Sequence, residues 1–141
     1  MELSDYLEYA KKIIADDKSE VAVRTAISRA YYSSFYYSNS LITSNFRDSD
    51  EWKSMPFGEH KKLIESLMRH QGCYGYVPKK LAASIGNRLN ILKSKRHDSD
   101  YNLAMKHTEI KASQVITEST KLIELISSLQ CENTTDQHHL K

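Results

Sequence analysis

Apolar residues recur at intervals of three and four along most of the chain, and polar breaks separate the runs, which predicts helices throughout. Leu3, Tyr6, Leu7, Ala10 and Ile14 stripe a first helix, capped by Ser4 or Asp5 and broken at DDKS, 16–19. Ser19 then caps a long central helix reaching about Ser44, with Glu20 on the favourable side of its dipole. Val23, Ile27, Ala30, Tyr31, Ser34, Ser38 and Leu41 fall on its core stripe. On the opposite side Thr25, Arg29, Tyr32 and Tyr36 follow one another at helical spacing. A face left in water would be polar. An arginine framed by tyrosines predicts a face covered by the bundle itself and by a second copy of the chain or a ligand.

The polar stretch 45–58 reads as a loop pinned by Trp52 and Phe57. Glu59 to Gln71 reads as a third helix, with His60, Leu63, Ile64 and Leu67 on one face and Gly72 as its stop. A turn follows, with Pro78 suited to the first position of a fourth helix. That helix, Lys79 to about Arg96, is cored by Leu81, Ile85, Leu89 and Leu92. Gly86 inside it costs up to ~1 kcal/mol relative to Ala, which predicts a close helix crossing. HDSDYN, 97–102, reads as a break. Leu103 to Gln130 is the last helix, seamed by Ala112, Val115, Ser119, Leu122, Ile126 and Leu129, and 131–141 is a polar, disordered tail. The expected fold is all-α: an up-and-down bundle of about five helices in one domain, 1–130, dimerising through the long second helix.

Composition narrows the class without naming an activity. Of 141 residues, 40% are hydrophobic and 27% charged, while four glycines and two prolines are few, as long helices require. At a net charge of +2, any nucleic-acid surface must be a local patch. The acidic N-terminus lacks the apolar stretch of a signal peptide, and no apolar run nears the ~18–20 residues of a membrane span. The expectation is therefore a cytoplasmic protein. Cys73 and Cys131 stand far apart, which predicts neither disulfide nor zinc site. His138 and His139 lack spaced partners, so no metal and no other cofactor is expected.

Three stretches, in order, carry a family resemblance. ISRAYYSSFYYSNSLI, 27–42, resembles an arginine–alanine–tyrosine–tyrosine helix followed by small and aromatic residues. GEHKKLIESL, 58–67, is similar to a histidine–lysine segment opening a third helix. LNILKSKRHDSDYNL, 89–103, is similar to an arginine followed after a short gap by Asp-Tyr at the end of a fourth helix. Together, over roughly 3–130, the chain resembles the HEPN family (higher eukaryotes and prokaryotes nucleotide-binding domains) in its small stand-alone prokaryotic branch. The resemblance implies a helical bundle that dimerises, with paired polar residues at a cleft between protomers. It also implies a place in toxin–antitoxin, antiviral defence or stress systems, often beside a small nucleotidyltransferase. Many members are metal-independent endoribonucleases, and those carry Arg, four to six residues, then His. Here the residue at the shortest such spacing from Arg96 is Tyr101, and no other arginine is followed by a histidine at that distance.

Metal-free RNA cleavage needs a base for the 2′-OH, an acid for the leaving oxygen and cations for the developing charge. On the resemblance the catalytic candidates are Arg96 as cation, Asp100 as weak base and Tyr101 as acid. A tyrosine of reference pKa ~10 is a poor acid near neutrality, so cleavage by the chain alone is expected to be weak or absent. The same set suits gripping, because an Arg fork fits phosphate and a Tyr ring stacks on a base. Arg29, Tyr32, His60, Lys93, Lys95 and His97 are the candidate nucleic-acid or nucleotide contacts. Arg29 and Arg96 are expected to converge with Asp100 and Tyr101 on one cleft. Thr25, Arg29, Tyr32 and Tyr36 are the candidate dimer contacts. Each has a structural alternative. Arg96–Asp100 or Arg29–Asp100 ties helix ends, the Arg29 stripe is packing, His60 is a hydrogen-bonded core histidine, and the basic run 93–97 favours the negative end of a helix. Two functions stay open: an RNA- or nucleotide-binding module, or a non-catalytic protein docking a nucleotidyltransferase or larger effector through its Arg/Tyr surface.

Overall fold

Seven helices make up the regular structure among residues 4–139, the part of the chain that the computed structural model describes; side chains are described over 5–132. They are α1 (Ser4–Asp16), α2 (Glu20–Asn39), α3 (Ser44–Arg47), α4 (Asp50–Lys53), α5 (Glu59–Met68), α6 (Lys79–Tyr101) and α7 (Glu109–His139). The five long ones are those that the apolar periodicity predicts. Among the described residues there is no strand, only an isolated bridge between Ile42 and Cys73. The expectations for Leu3, for the Ser4 cap and for the His138 and His139 side chains fall outside what is described.

The bundle is built round α2. Its whole predicted stripe, Val23 to Leu41, is buried, and it packs on α1, α6 and α7, while α5 packs on α6. End contacts give the directions. Lys18 pairs with Glu109 at 3.0 Å, and Gln130 donates to Ser40 Oγ at 2.8 Å, so α2 and α7 run the same way. Arg24, near the start of α2, donates to the Ser99 carbonyl near the end of α6, so α6 runs the opposite way. Tyr6 on α1 packs on Tyr36 near the end of α2 with ring centroids 5.4 Å apart, so α1 is antiparallel to α2 as well. The α7 seam from Ala112 to Leu129 is buried as predicted.

Helix ends depart from the periodicity wherever side chains satisfy the terminal backbone groups. Ser19 caps α2 as expected, accepting from the Ala22 amide. α2 stops at Asn39 rather than Ser44. Leu41 and Ile42 are instead drawn into the core, and Arg47 donates to the Asn39 side chain at 2.8 Å and to its carbonyl. The stretch 45–58 is not simply a loop. Thr43 and Ser49 each cap a single helical turn, α3 and α4, and α4 places Trp52 in the core. α5 ends at Met68, before the predicted Gln71, because His70 takes the left-handed conformation at φ 55°. The Gln71 amide then bonds the Ser66 carbonyl at 2.8 Å and the His70 amide the Leu67 carbonyl at 3.1 Å. Gly72 also has positive φ, but its service is steric: a Cβ there would collide with the Phe46 ring. Pro78 is the N-cap of α6, one place before the predicted position.

The predicted break at 97–102 is helix as far as Tyr101, and the predicted helix over 103–108 is not. Ser and Asp favour turns because their side chains compete for the backbone. Here Ser99 bonds back to the Arg96 carbonyl at 2.8 Å and Asp100 pairs with Arg96 at 3.3 Å, so both support the helix they were expected to end. α7 then starts after Thr108, whose hydroxyl accepts from the Lys111 amide. Gly86 does mark a close crossing. A Cβ on it would lie 2.8 Å from Met68 Cγ and 3.2 Å from the Ile64 carbonyl of α5.

Candidate functional site

Tyr31 lies on the core stripe of α2 and is fully buried, so its hydroxyl must find a partner inside the protein. It finds His60, at the start of α5, with Tyr31 Oη 2.5 Å from His60 Nδ1. The imidazole is wedged among rings: Phe35 stacks on it at a centroid distance of 4.0 Å, and Tyr32 stands edge-on at 6.1 Å. α6 adds Arg96 from the other side. Its guanidinium carbon sits 5.2 Å from the Tyr31 ring centroid and 5.5 Å from that of Tyr32. α2, α5 and α6 thus each contribute to one cluster: two tyrosines, a histidine and an arginine.

The electrostatics follow from burial and from charge. Burial pushes the Tyr31 hydroxyl far above its ordinary pKa, and the nearby Arg96 charge offsets part of that. Burial also lowers the His60 pKa, and the Arg96 and Lys93 charges lower it further against a smaller opposing effect of Glu59. For Arg96, burial works against the charge, but Tyr32, the hydrogen bond to Asp100 and Tyr31 outweigh it, so its pKa is raised. Arg96 is a cation, Tyr31 a neutral phenol and His60 a histidine biased to its neutral form.

The remaining candidates fall around this cluster unevenly. Asp100 holds Arg96 at 3.3 Å, one turn along α6. Tyr101 is separate: it is 65% exposed, and its ring lies against His97 at 4.9 Å. Five positions along a helix turn a side chain by roughly 140°, away from Arg96. Lys93 also borders a shallow hollow along α6 with Asn90, Ser94 and His97. Lys95 belongs to another hollow, with Lys111, Asp98 and His107 around Ile27 and Val115. Arg29 makes no ion pair among the described residues and does not join Arg96. It lines one hollow with Tyr6 and Tyr9 of α1, and a second with Val21, Thr25, Asp100 and Leu103. Tyr36 of the same stripe is covered by Tyr6 from its own chain. The expected four-residue convergence is therefore a pair, Arg96–Asp100, with Arg29 flanking Asp100 and Tyr101 outside. Among the described residues no group of three or more His, Cys, Asp or Glu is placed to hold a metal ion.

The sequence reading overlooked two residues. The periodicity places Tyr31 on the core stripe and no more, although a buried phenol opposite a histidine on an apolar face is itself a signal. Arg24 was not singled out. Its guanidinium gathers the carbonyls of Ser99 at 2.9 Å, Asn102 at 3.2 Å, Asp98 at 3.4 Å and Met105 at 2.5 Å. It is the cation at the negative end of α6, and Glu20 holds it at 3.0 Å. Glu20 in turn accepts from the His107 amide, the main reason its pKa is lowered.

Against models of protein families, curated proteins and solved structures, the chain gives no significant match.

Proposed function

We propose that the chain is an RNA- or nucleotide-binding module of the HEPN kind, acting in a toxin–antitoxin, antiviral defence or stress system. The observation that carries this reading is Arg96. It is fixed on α6 against Tyr31 and Tyr32, neutralised by a single carboxylate, and next to Lys93, which makes no ion pair among the described residues. A cation held between aromatic faces with a second cation beside it suits a phosphate and its base. Tyr101 lies apart from Arg96, which supports binding over cleavage. Fluorescence anisotropy with labelled oligoribonucleotides tests the reading. Binding that falls with salt and is lost in Arg96→Gln is expected, and unchanged binding by that variant refutes it.

A second reading, a protein that docks a nucleotidyltransferase or effector, is favoured by a different surface. Val21 is 75% and Leu103 82% exposed, and both rim the hollow that holds Arg29 and Asp100. Apolar rims round an opposite-charge pair suit a protein contact, and the same patch is self-complementary for a homodimer.

A further inference from the structure

We infer that Tyr31, His60 and Arg96 build a phosphate subsite, in which Tyr31 holds His60 as a fixed Nε2–H donor beside the Arg96 and Lys93 cations. This rests on the RNA or nucleotide reading above and adds to it the role of His60 and the group that it meets.

The argument is one of donors and acceptors. Tyr31 is fully buried, its hydroxyl makes one hydrogen bond among the described residues, to His60 Nδ1, and the Arg96 guanidinium lies over its ring. A guanidinium donates and never accepts. The phenol proton therefore has one acceptor within reach, His60 Nδ1 at 2.5 Å. A neutral imidazole that accepts at Nδ1 carries its own proton on Nε2. Charging the ring would place a proton on Nδ1 as well and leave the buried phenol proton without an acceptor.

The surroundings oppose that charging. The Arg96 and Lys93 charges act on the ring from α6, and Tyr32 and Phe35 cover it from α2 without charge. Of the two carboxylates on its own helix, Glu59 is drawn to Lys62 at 3.7 Å and Glu65 to Arg69 at 3.4 Å. Arg96 Nε is buried and has no hydrogen-bond partner. His60 is half-buried, and its Nε2 has no protein partner among the described residues. The cluster is therefore short of acceptors. A phosphate supplies several in one group, together with the negative charge that Asp100 provides only once.

Nuclear magnetic resonance of the full chain carrying 15N-histidine, combined with binding titrations, tests this. The probes are a short oligoribonucleotide, AMP and inorganic phosphate. Expected are the neutral Nε2–H tautomer of His60 at neutral pH and a shift of its Nε2 signal on adding oligoribonucleotide. His60→Gln keeps an amide donor near that position and should bind within about threefold of the parent chain, whereas His60→Leu should bind about tenfold more weakly. Tyr31→Phe frees the ring to change tautomer and charge, so binding should become pH-dependent. A response to AMP as strong as to the oligoribonucleotide assigns the site to a free nucleotide. A response to phosphate alone assigns it to the bare anion, and either keeps the subsite. If RNA binds and needs Arg96 while His60→Leu binds normally, the subsite is overturned and the broader reading stands. If none of the three probes binds, both fall. An Nδ1–H tautomer overturns the subsite regardless of binding.

Discussion

His60 makes the sharpest single-residue case, because its depressed pKa ties the fold to pH. Its folded pKa lies below the unfolded reference near 6.5, with burial the main cause and Arg96 and Lys93 adding to it. Between the two values the unfolded chain binds the extra proton, so stability is complete above about pH 6.5 and is lost as pH falls toward the folded value. Urea denaturation at pH 7.5 and 5.5 should show this loss in the parent chain and a smaller one in His60→Gln. Equal losses would show that other groups are responsible. Arg96 and Asp100 differ in burial: the side chains are 12% and 28% exposed. Arg96→Ala takes a cation off two rings and is expected to cost ~1–3 kcal/mol. Asp100→Ala removes a partly screened partner and should cost about 1 kcal/mol or less. The reverse order in denaturation would mean that the carboxylate, not the arginine, is the structural tie. Much of this was legible in the sequence. The spacing places Tyr31 and His60 on apolar stripes, but that the two stripes meet is a property of the packing.

At the scale of elements, periodicity located the five long helices, and capping chemistry located the start of α2. The end of α5 and the start of α7 turn on local backbone and capping geometry, and the end of α6 on a partner distant in sequence, none of which periodicity registers. α6 is the clearest instance. Its last turn is polar enough to read as a break, and an arginine from α2 satisfies its carbonyls. Arg24→Met, which keeps the stem and removes the fork, should cost ~1–3 kcal/mol and speed amide exchange over 98–107. Unchanged exchange there would show that the turn holds itself. Gly86 tests the α5–α6 crossing. Gly86→Ala gains up to ~1 kcal/mol of helix propensity, but its Cβ must displace Met68 and press on the Ile64 carbonyl 3.2 Å away. Overpacking of ~1–3 kcal/mol outweighs the gain, so thermal melting should occur at lower temperature.

At the scale of the molecule, an all-α bundle was readable from period and composition, since few glycines and no alternating segment leave little else. What pairs with the finished bundle was less so, because the Arg29 stripe is already partly covered by α1. On the proposed function, self-association should use the hollow of Val21, Arg29, Asp100 and Leu103 instead of the whole stripe. Sedimentation at tens of micromolar, on the order of ordinary assay concentrations, should give a dimer, and Leu103→Asp should give a monomer. A monomeric parent chain would remove this interface. The α2 arginine that completes α6 also sets an order of events. Arg24 meets carbonyls 74 to 81 positions further on, so a chain still being synthesised holds that fork, paired to Glu20, long before its acceptors exist. Closing so long a loop is slow relative to winding a helix. The end of α6 therefore sets only once the N-terminal half has docked on it, and looseness there would report that this docking is missing.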